Sequence, residues 1–313
     1  MQADRTKQEP GAGGEASRVV VITGASSGIA RAAALLFAQE GCALVLAARD
    51  ATALDHVAED CRGRGARALA VPTDMSDEAA VKALASAAVE AFGRIDVWVN
   101  CAAVLMYGRA ATQPMAEFRQ VIDTNLFGYV HGTQAALRAF KAQGGWGCLI
   151  NVASMLSLFG DPYLSAYVTS KFAVRGYTQC VRQEMRAYRG IHVCTILPTA
   201  IDTPIYQKGA NRMGRQIRSI APLYAVERAA RAITTAARRP RAEIIVGTYG
   251  YLIALGLRIS PRLVEWMVAL LAPKIQFSRR RQAASRGNLF ESTGPNQVNG
   301  GWRAFWLRRL WRR

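Results

Sequence analysis

Residues 18–30 read Arg18-Val19-Val20-Val21-Ile22-Thr23-Gly24-Ala25-Ser26-Ser27-Gly28-Ile29-Ala30, an apolar β-branched run that passes through a glycine-bearing turn into an Ala-rich helical pattern. A strand joined to a helix by so short a turn aims the unpaired N–H groups of the helix start, and the positive end of its dipole, at one point. Gly24 permits the tight turn, and Gly28 lets the backbone approach a pyrophosphate. Thr23, Ser26, Ser27 and Ile29 complete this candidate anion cradle. A glycine-rich turn alone recurs often by chance; its strand–turn–helix setting makes it informative.

Working outward, short β-branched runs alternate with longer helical patterns. The spacing predicts strands over 18–23, 43–47, 67–72, 95–100, 148–152, 192–197 and 243–246. Several are continuously apolar, as strands are when helices cover both faces of a sheet. Helices are expected over 29–39, over 78–91 and around Asn125 and Lys171. The pattern belongs to the α/β class, a doubly wound parallel sheet of Rossmann type in one domain from about 18 to 250. A disordered N-terminus over 1–17, an apolar helical extension over 251–273 and a basic, aromatic tail over 274–313 flank it.

The chain has 313 residues, 51% of them apolar, which suffices for a large core. Its six cysteines and three histidines are scattered without a CxxC pair, so the sequence suggests neither a disulfide framework nor a metal site. The net charge of +18 is unevenly spread. From Pro273 onward ten Lys/Arg face the single acid Glu291. Basicity is therefore largely a property of the tail. The first 17 residues lack the apolar run of a secretory signal, and a cytoplasmic location is expected.

The cofactor's identity is read at the end of the second strand. An acidic residue there suits a free ribose 2′-hydroxyl, whereas an arginine accommodates a 2′-phosphate. Ala48 followed by Arg49 favours NADP(H) over NAD(H), because guanidinium pairs with phosphate through charge-assisted bonds.

Further motifs follow in order: Asp74, Asn100-Cys101-Ala102-Ala103, Asn125, Ser154, Tyr167-x-x-x-Lys171 and Pro198-Thr199-x-x-x-Thr203. With the glycine turn, this set resembles the short-chain dehydrogenase/reductase family over roughly Val19 to Gly247. The resemblance implies an oxidoreductase that moves hydride between nicotinamide and a carbonyl/alcohol pair. By the same resemblance, Tyr167 is the general acid/base and Ser154 orients the substrate oxygen. Lys171 also holds the nicotinamide ribose, and Asn125 positions a water in a relay to Lys171. Asp74 contacts adenine, Asn100 supports the cofactor side, Thr203 lies toward the carboxamide, and Pro198 and Thr199 join the cofactor-binding set. A homo-oligomer paired through the helices near Asn125 and Lys171 is likewise implied.

The chemistry of the pair is legible on its own terms. Tyr167 and Lys171 stand at i and i+4 on one helix face. A free phenol titrates near pH 10, and a neighbouring ammonium is expected to lower that value. Two residues depart from the family pattern: Ala30 replaces a third glycine, and Ala103 replaces the glycine of Asn-Asn-Ala-Gly. Neither removes a reacting group.

Leu105, Met106, Tyr107, Met155, Leu156, Phe159, Tyr163, Ile205 and Tyr206 predict a small-molecule pocket for a lipophilic substrate. Residues 203–224 suit a mobile lid. The end, Trp302-Arg-Ala-Phe-Trp-Leu-Arg-Arg-Leu-Trp-Arg-Arg313, interleaves rings and cations as peripheral anchors do. It suggests attachment, helped by the apolar run Leu263–Ala272, to the anionic inner face of a membrane, with an oligomer contact or a disordered basic end as the rival reading. No recognised nucleic-acid module accompanies it. The alternative function is a catalytically weak NADP(H)-binding scaffold or sensor at a membrane surface.

Overall fold

The computed structural model describes residues 17–220, 222–294, 296–304 and 306. Residues 1–16, most of the stretch expected to be disordered, and Phe305 and 307–313, which hold most of the basic aromatic end, lie outside the described residues.

Seven strands form one sheet: β1 Val19–Thr23, β2 Ala43–Ala48, β3 Ala68–Pro72, β4 Val97–Asn100, β5 Trp146–Val152, β6 Gly190–Pro198 and β7 Glu243–Val246. All pair in parallel, in the order β7-β6-β5-β4-β1-β2-β3. Every residue of β1 and β2 is buried, as their unbroken apolar runs require.

Helices α1 Gly28–Gln39, α2 Ala51–Arg62 and α3 Glu78–Phe92 follow the first three strands. Then come α4 Met115–Ile122, α5 Gly128–Ala142, α6 Ser165–Glu184, the short α7 Ile205–Lys208 and α8 Val226–Arg238. One sheet face is filled by α1, α2 and α8 through side chains such as Phe37, Leu54, Val57 and Ile233. The other is filled by α3, α5 and α6 through Leu84, Phe140 and Val181. Strand order reverses on either side of β1, which opens a crevice at the carboxyl edge of the sheet beside the glycine turn.

After β7 the chain forms two further helices, α9 Thr248–Ile259 and α10 Pro261–Ile275. Their separation is local chemistry. Ser260 accepts the Leu263 N–H and Pro261 takes the first helical position, so the helix restarts instead of continuing.

Two elements differ from the sequence reading. The basic, aromatic tail expected over 274–313 holds a strand that the sequence reading did not include, Phe277–Arg281, antiparallel to Arg215–Ile217. The expected mobile lid is pinned, because that pairing holds one part and Ala210–Asn211 pairs with Met106–Tyr107 beside it. Neither exchange was visible locally, since the partners of these short strands are remote in sequence.

Candidate active site

A cavity of about 770 Å³ runs from the glycine turn across the carboxyl edge of the sheet. At its nucleotide end the wall holds Gly24, Ser26, Ser27, Gly28 and Ile29, then Arg49 after β2 and Asp74 after β3. Gly24 adopts φ +74°, and a Cβ there would stand 2.7 Å from the Ala102 Cα, so only glycine permits this approach to the end of β4. Ser27 begins α1 without a side-chain cap, and of the first-turn N–H groups that of Gly28 is taken by the Gln297 carbonyl at 3.0 Å.

At the other end Ser154, Tyr167 and Lys171 share the same cavity, whose wall also includes Pro198, Thr199 and Thr203, the last standing against Gly28. Ser154 follows β5 and caps a short turn by accepting the Leu156 N–H at 3.1 Å. Its hydroxyl is also close enough to the Tyr167 phenol to lower that group's pKa. Lys171, fully buried on α6, donates to the Val152 carbonyl at 2.9 Å and to the Tyr129 hydroxyl at 3.3 Å. Its Nζ lies 5.6 Å from the centre of the Tyr167 ring.

These contacts correct the expected pKa order. Burial pushes the Tyr167 phenol up to about 12, against the opposing effect of Ser154. Burial likewise pulls Lys171 down to about 8. Desolvation outweighs mutual attraction here because the ammonium is turned toward the Val152 and Tyr129 oxygens.

Three predicted site residues do not reach the cavity wall. Thr23 is buried and accepts the Cys101 and Ala102 N–H groups at 3.0 and 3.3 Å, tying β4's end to the turn. Asn100 accepts from Trp98 and donates to Asn151, each at 2.8 Å, inside the sheet. Asn125, in a π-helical turn, brackets the Val104 peptide: it accepts the N–H at 2.8 Å and donates to the carbonyl at 2.9 Å. A further donation to Ser170 completes its amide. Each of these side chains supports the wall from behind.

Of the predicted pocket residues, Met106 packs instead with Val104, Val121 and Ala166, and Tyr163 packs edge-on against Phe277 at 5.6 Å. The others line the cavity. Sequence reasoning missed Asp161, a buried cavity carboxyl that accepts from Gln276 at 2.6 Å and is raised by burial to about 7.

It also missed the larger feature, a strap formed by 286–303. Arg49 donates to the carbonyls of Asn288, Leu289 and Phe290 at 2.6, 2.9 and 3.1 Å. Asn296 donates to Asp50 at 2.8 Å and accepts from Lys208 at 2.6 Å, while the Gln297 carbonyl takes the Gly28 N–H at 3.0 Å. Asp202 then receives the Trp302 and Arg303 N–H groups. Gly287 starts the strap so close to α7 that a Cβ would stand 2.2 Å from the Lys208 carbonyl oxygen. Its asparagines and glycines gave a local signal for turns but none for a docking site.

The cavity fits a dinucleotide. Its volume is in the range of small-molecule sites, roughly 300–1,000 Å³, and one wall carries the helix start and a guanidinium. On that wall Asn288 contributes a buried Oδ1 without a hydrogen-bond partner.

A family profile described as short chain dehydrogenase matches residues 18–213. The chain belongs to the short-chain dehydrogenase family. An uncharacterized oxidoreductase of Bacillus subtilis, YxnA, is 32% identical over 93% of this chain and 82% of its own. A short-chain dehydrogenase/reductase from Burkholderia phymatum, solved in complex with NAD, superposes with a TM-score of 0.71 at 26% identity, covering 85% of this chain and 98% of that one. An alcohol dehydrogenase from Thermococcus sibiricus, complexed with 5-hydroxy-NADP, gives 0.65 at 26% identity over 74% and 96%. As a short-chain dehydrogenase the protein is an oxidoreductase of a nucleotide-binding fold.

Proposed function

We propose that this protein is an NADP(H)-dependent oxidoreductase that interconverts a carbonyl and an alcohol on a lipophilic substrate, with Tyr167 as general acid/base. The observation that carries the reading is one cavity whose wall includes both the glycine turn and the Ser154, Tyr167 and Lys171 side chains.

Gly24, Ser26, Ser27, Gly28, Ile29 and Asp74 would hold the dinucleotide, with Arg49 toward a 2′-phosphate and Thr203 toward the carboxamide. A bound nicotinamide would supply hydride to the carbonyl carbon, or accept it in the reverse direction. Tyr167 gives its proton to the carbonyl oxygen as that oxygen gains charge, so the product is the alcohol. A phenol raised to about 12 is protonated at neutral pH and so is prepared for the reductive direction. Ser154 donates a hydrogen bond to the same oxygen and orients it. Lys171, near its titration point at about pH 8, returns a proton toward the phenol. Asn125 acts as a positioning residue by holding Val104, which lines the cavity.

Leu105, Met155, Leu156, Phe159, Ile205 and Tyr206 support a lipophilic substrate. Exposed Phe127 and Phe172, beside α5 and on α6, support subunit pairing there.

The test is NADPH consumption with retinoid, steroid, fatty-acyl and small aldehyde carbonyls, with NADH in parallel. Turnover of an apolar carbonyl with NADPH, abolished by Tyr167→Phe, is the expected result. Equal rates in wild type and Tyr167→Phe would remove the phenol from the chemistry.

A further inference from the structure

We infer that the α9–α10 hairpin docks on an anionic phospholipid bilayer and opens the substrate cavity directly into it. Of the 12 residues of α9 and the 15 of α10, only Gly250 and Ala272 are buried. Ten of the sixteen large apolar side chains exposed in the described residues fall between Tyr251 and Ile275. Leu252, Ile259, Leu263 and Trp266 are 70%, 75%, 54% and 61% exposed. So large a contiguous apolar surface marks an interaction site.

Charge selects the occupant. Arg258 and Arg262 flank the hairpin's turn, and Lys274, Arg279, Arg280 and Arg281 stand at its base, all exposed; Glu265 is the one acid between 251 and 281. Two copies meeting through this face would set cation against cation, which opposes self-association. A sheet of acidic headgroups over apolar tails matches both the cations and the leucines. At 1.5 Å per residue the helices reach only about 18 and 22 Å. Among the described residues no helix is long and apolar enough to cross a membrane. The hairpin therefore lies in the interface plane with one face in the lipid.

The cavity supplies the second argument. Its lining continues from Tyr167 past Ile253 to Ile259, Leu263 and Leu271, side chains that are themselves exposed on the hairpin. A protein seated on this face would plug that route, whereas fluid lipid leaves it open. An apolar carbonyl dissolved in the bilayer can then pass between α9 and α10 to the phenol without crossing water. This lateral entry rests on the proposed lipophilic substrate; the docking itself does not.

The test is co-sedimentation of the full chain with vesicles of phosphatidylcholine alone or with 30% phosphatidylglycerol, added as about one lipid in three to supply anionic charge. Two variants accompany it, Leu255→Glu/Trp266→Glu and Arg258→Glu/Arg262→Glu, all four side chains exposed and Leu255 and Trp266 outside the cavity lining. Wild type is expected to pellet with the anionic vesicles, and each variant to lose at least about tenfold in partitioning, the first through lost apolar burial and the second through lost attraction to acidic headgroups. Reduction of a small water-soluble aldehyde is expected to be unchanged in both variants. Amide exchange of wild type needs no variant to fold, and it should show 251–271 protected when anionic vesicles are added.

Wild type that stays in the supernatant overturns the docking. So does pelleting that neither variant reduces, which would place attachment in the Trp/Arg end alone. A hairpin that both variants release from a dimer, with vesicles bound by none, assigns the face to a second copy instead. Loss of aldehyde turnover in wild type, with vesicle binding intact, would defeat the proposed chemistry and leave the docking standing.

Discussion

Arg49 donates to the Asn288 main-chain carbonyl at 2.6 Å, so the side chain expected to meet the cofactor's phosphate is held by the chain's own C-terminal strap. The bond crosses 239 positions of sequence. It ties the side chain proposed to meet the cofactor's phosphate to a segment outside the matched 18–213 region.

Arg49→Ala is therefore expected to weaken NADPH binding by about 10–100-fold, since hydrogen bonds to charged groups are worth roughly 1.5–3 kcal/mol. NADH binding should change far less. Fluorescence titration with both nucleotides reads the ratio, and an unchanged ratio would show that the strap keeps the guanidinium from the phosphate.

Asn296→Ala removes the side-chain bonds to Asp50 and Lys208 that pin the middle of the strap. Faster amide exchange over 286–300 and faster NADPH release in stopped-flow are the expected outcomes. Unaltered exchange would mean that the main-chain contacts at Gly28 and Arg49 suffice.

Tyr167→Phe should lower turnover by about 10²–10⁴-fold, the usual worth of a placed general acid or base. NADPH affinity should stay within about twofold, because the ring's packing is retained.

Asp161 titrates at about 7 in the fold against 3.8 for the free group, with burial the larger cause. Between those values the folded state keeps a proton that the unfolded chain has released. Stability therefore falls as pH rises from about 4 to 7 and then levels, by an amount on the order of 4 kcal/mol at most. Thermal melts of Asp161→Asn should lose that slope and exceed wild type at pH 8. A slope identical to wild type would show that the carboxyl is hydrated.

Glu117 on α4 is almost wholly buried and paired with Arg212, which follows the short strand Ala210–Asn211. Arg212→Ala leaves that carboxylate without its main counter-ion, a loss of about 3–5 kcal/mol. Chemical denaturation should shift accordingly, and Glu117→Gln/Arg212→Ala should recover part of the loss.

Much of the site was legible because its signals are local. Gly24 and Gly28 announce a turn, Tyr167 and Lys171 share a helix face at four-residue spacing, and β1 and β2 declare two-sided burial by their unbroken apolar runs. Asn125 was found as a motif, but its task of holding the Val104 peptide was not. The direction of the phenol's titration was also illegible, because it depends on what Lys171 faces, and Val152 and Tyr129 take that ammonium.

Sequence alone thus determined the α/β class, most strand positions and the family, since hydrophobic period and motif spacing are properties of neighbouring residues. Only the folded chain decided that 286–303 returns to Arg49, that Asp161 sits beside Gln276, and that α9 and α10 leave their apolar faces outside. Those outcomes turn on contacts between segments remote in the chain, where no periodicity records which surface a strap or helix will meet. Burial then set the charges, because desolvation exists only once the walls have closed.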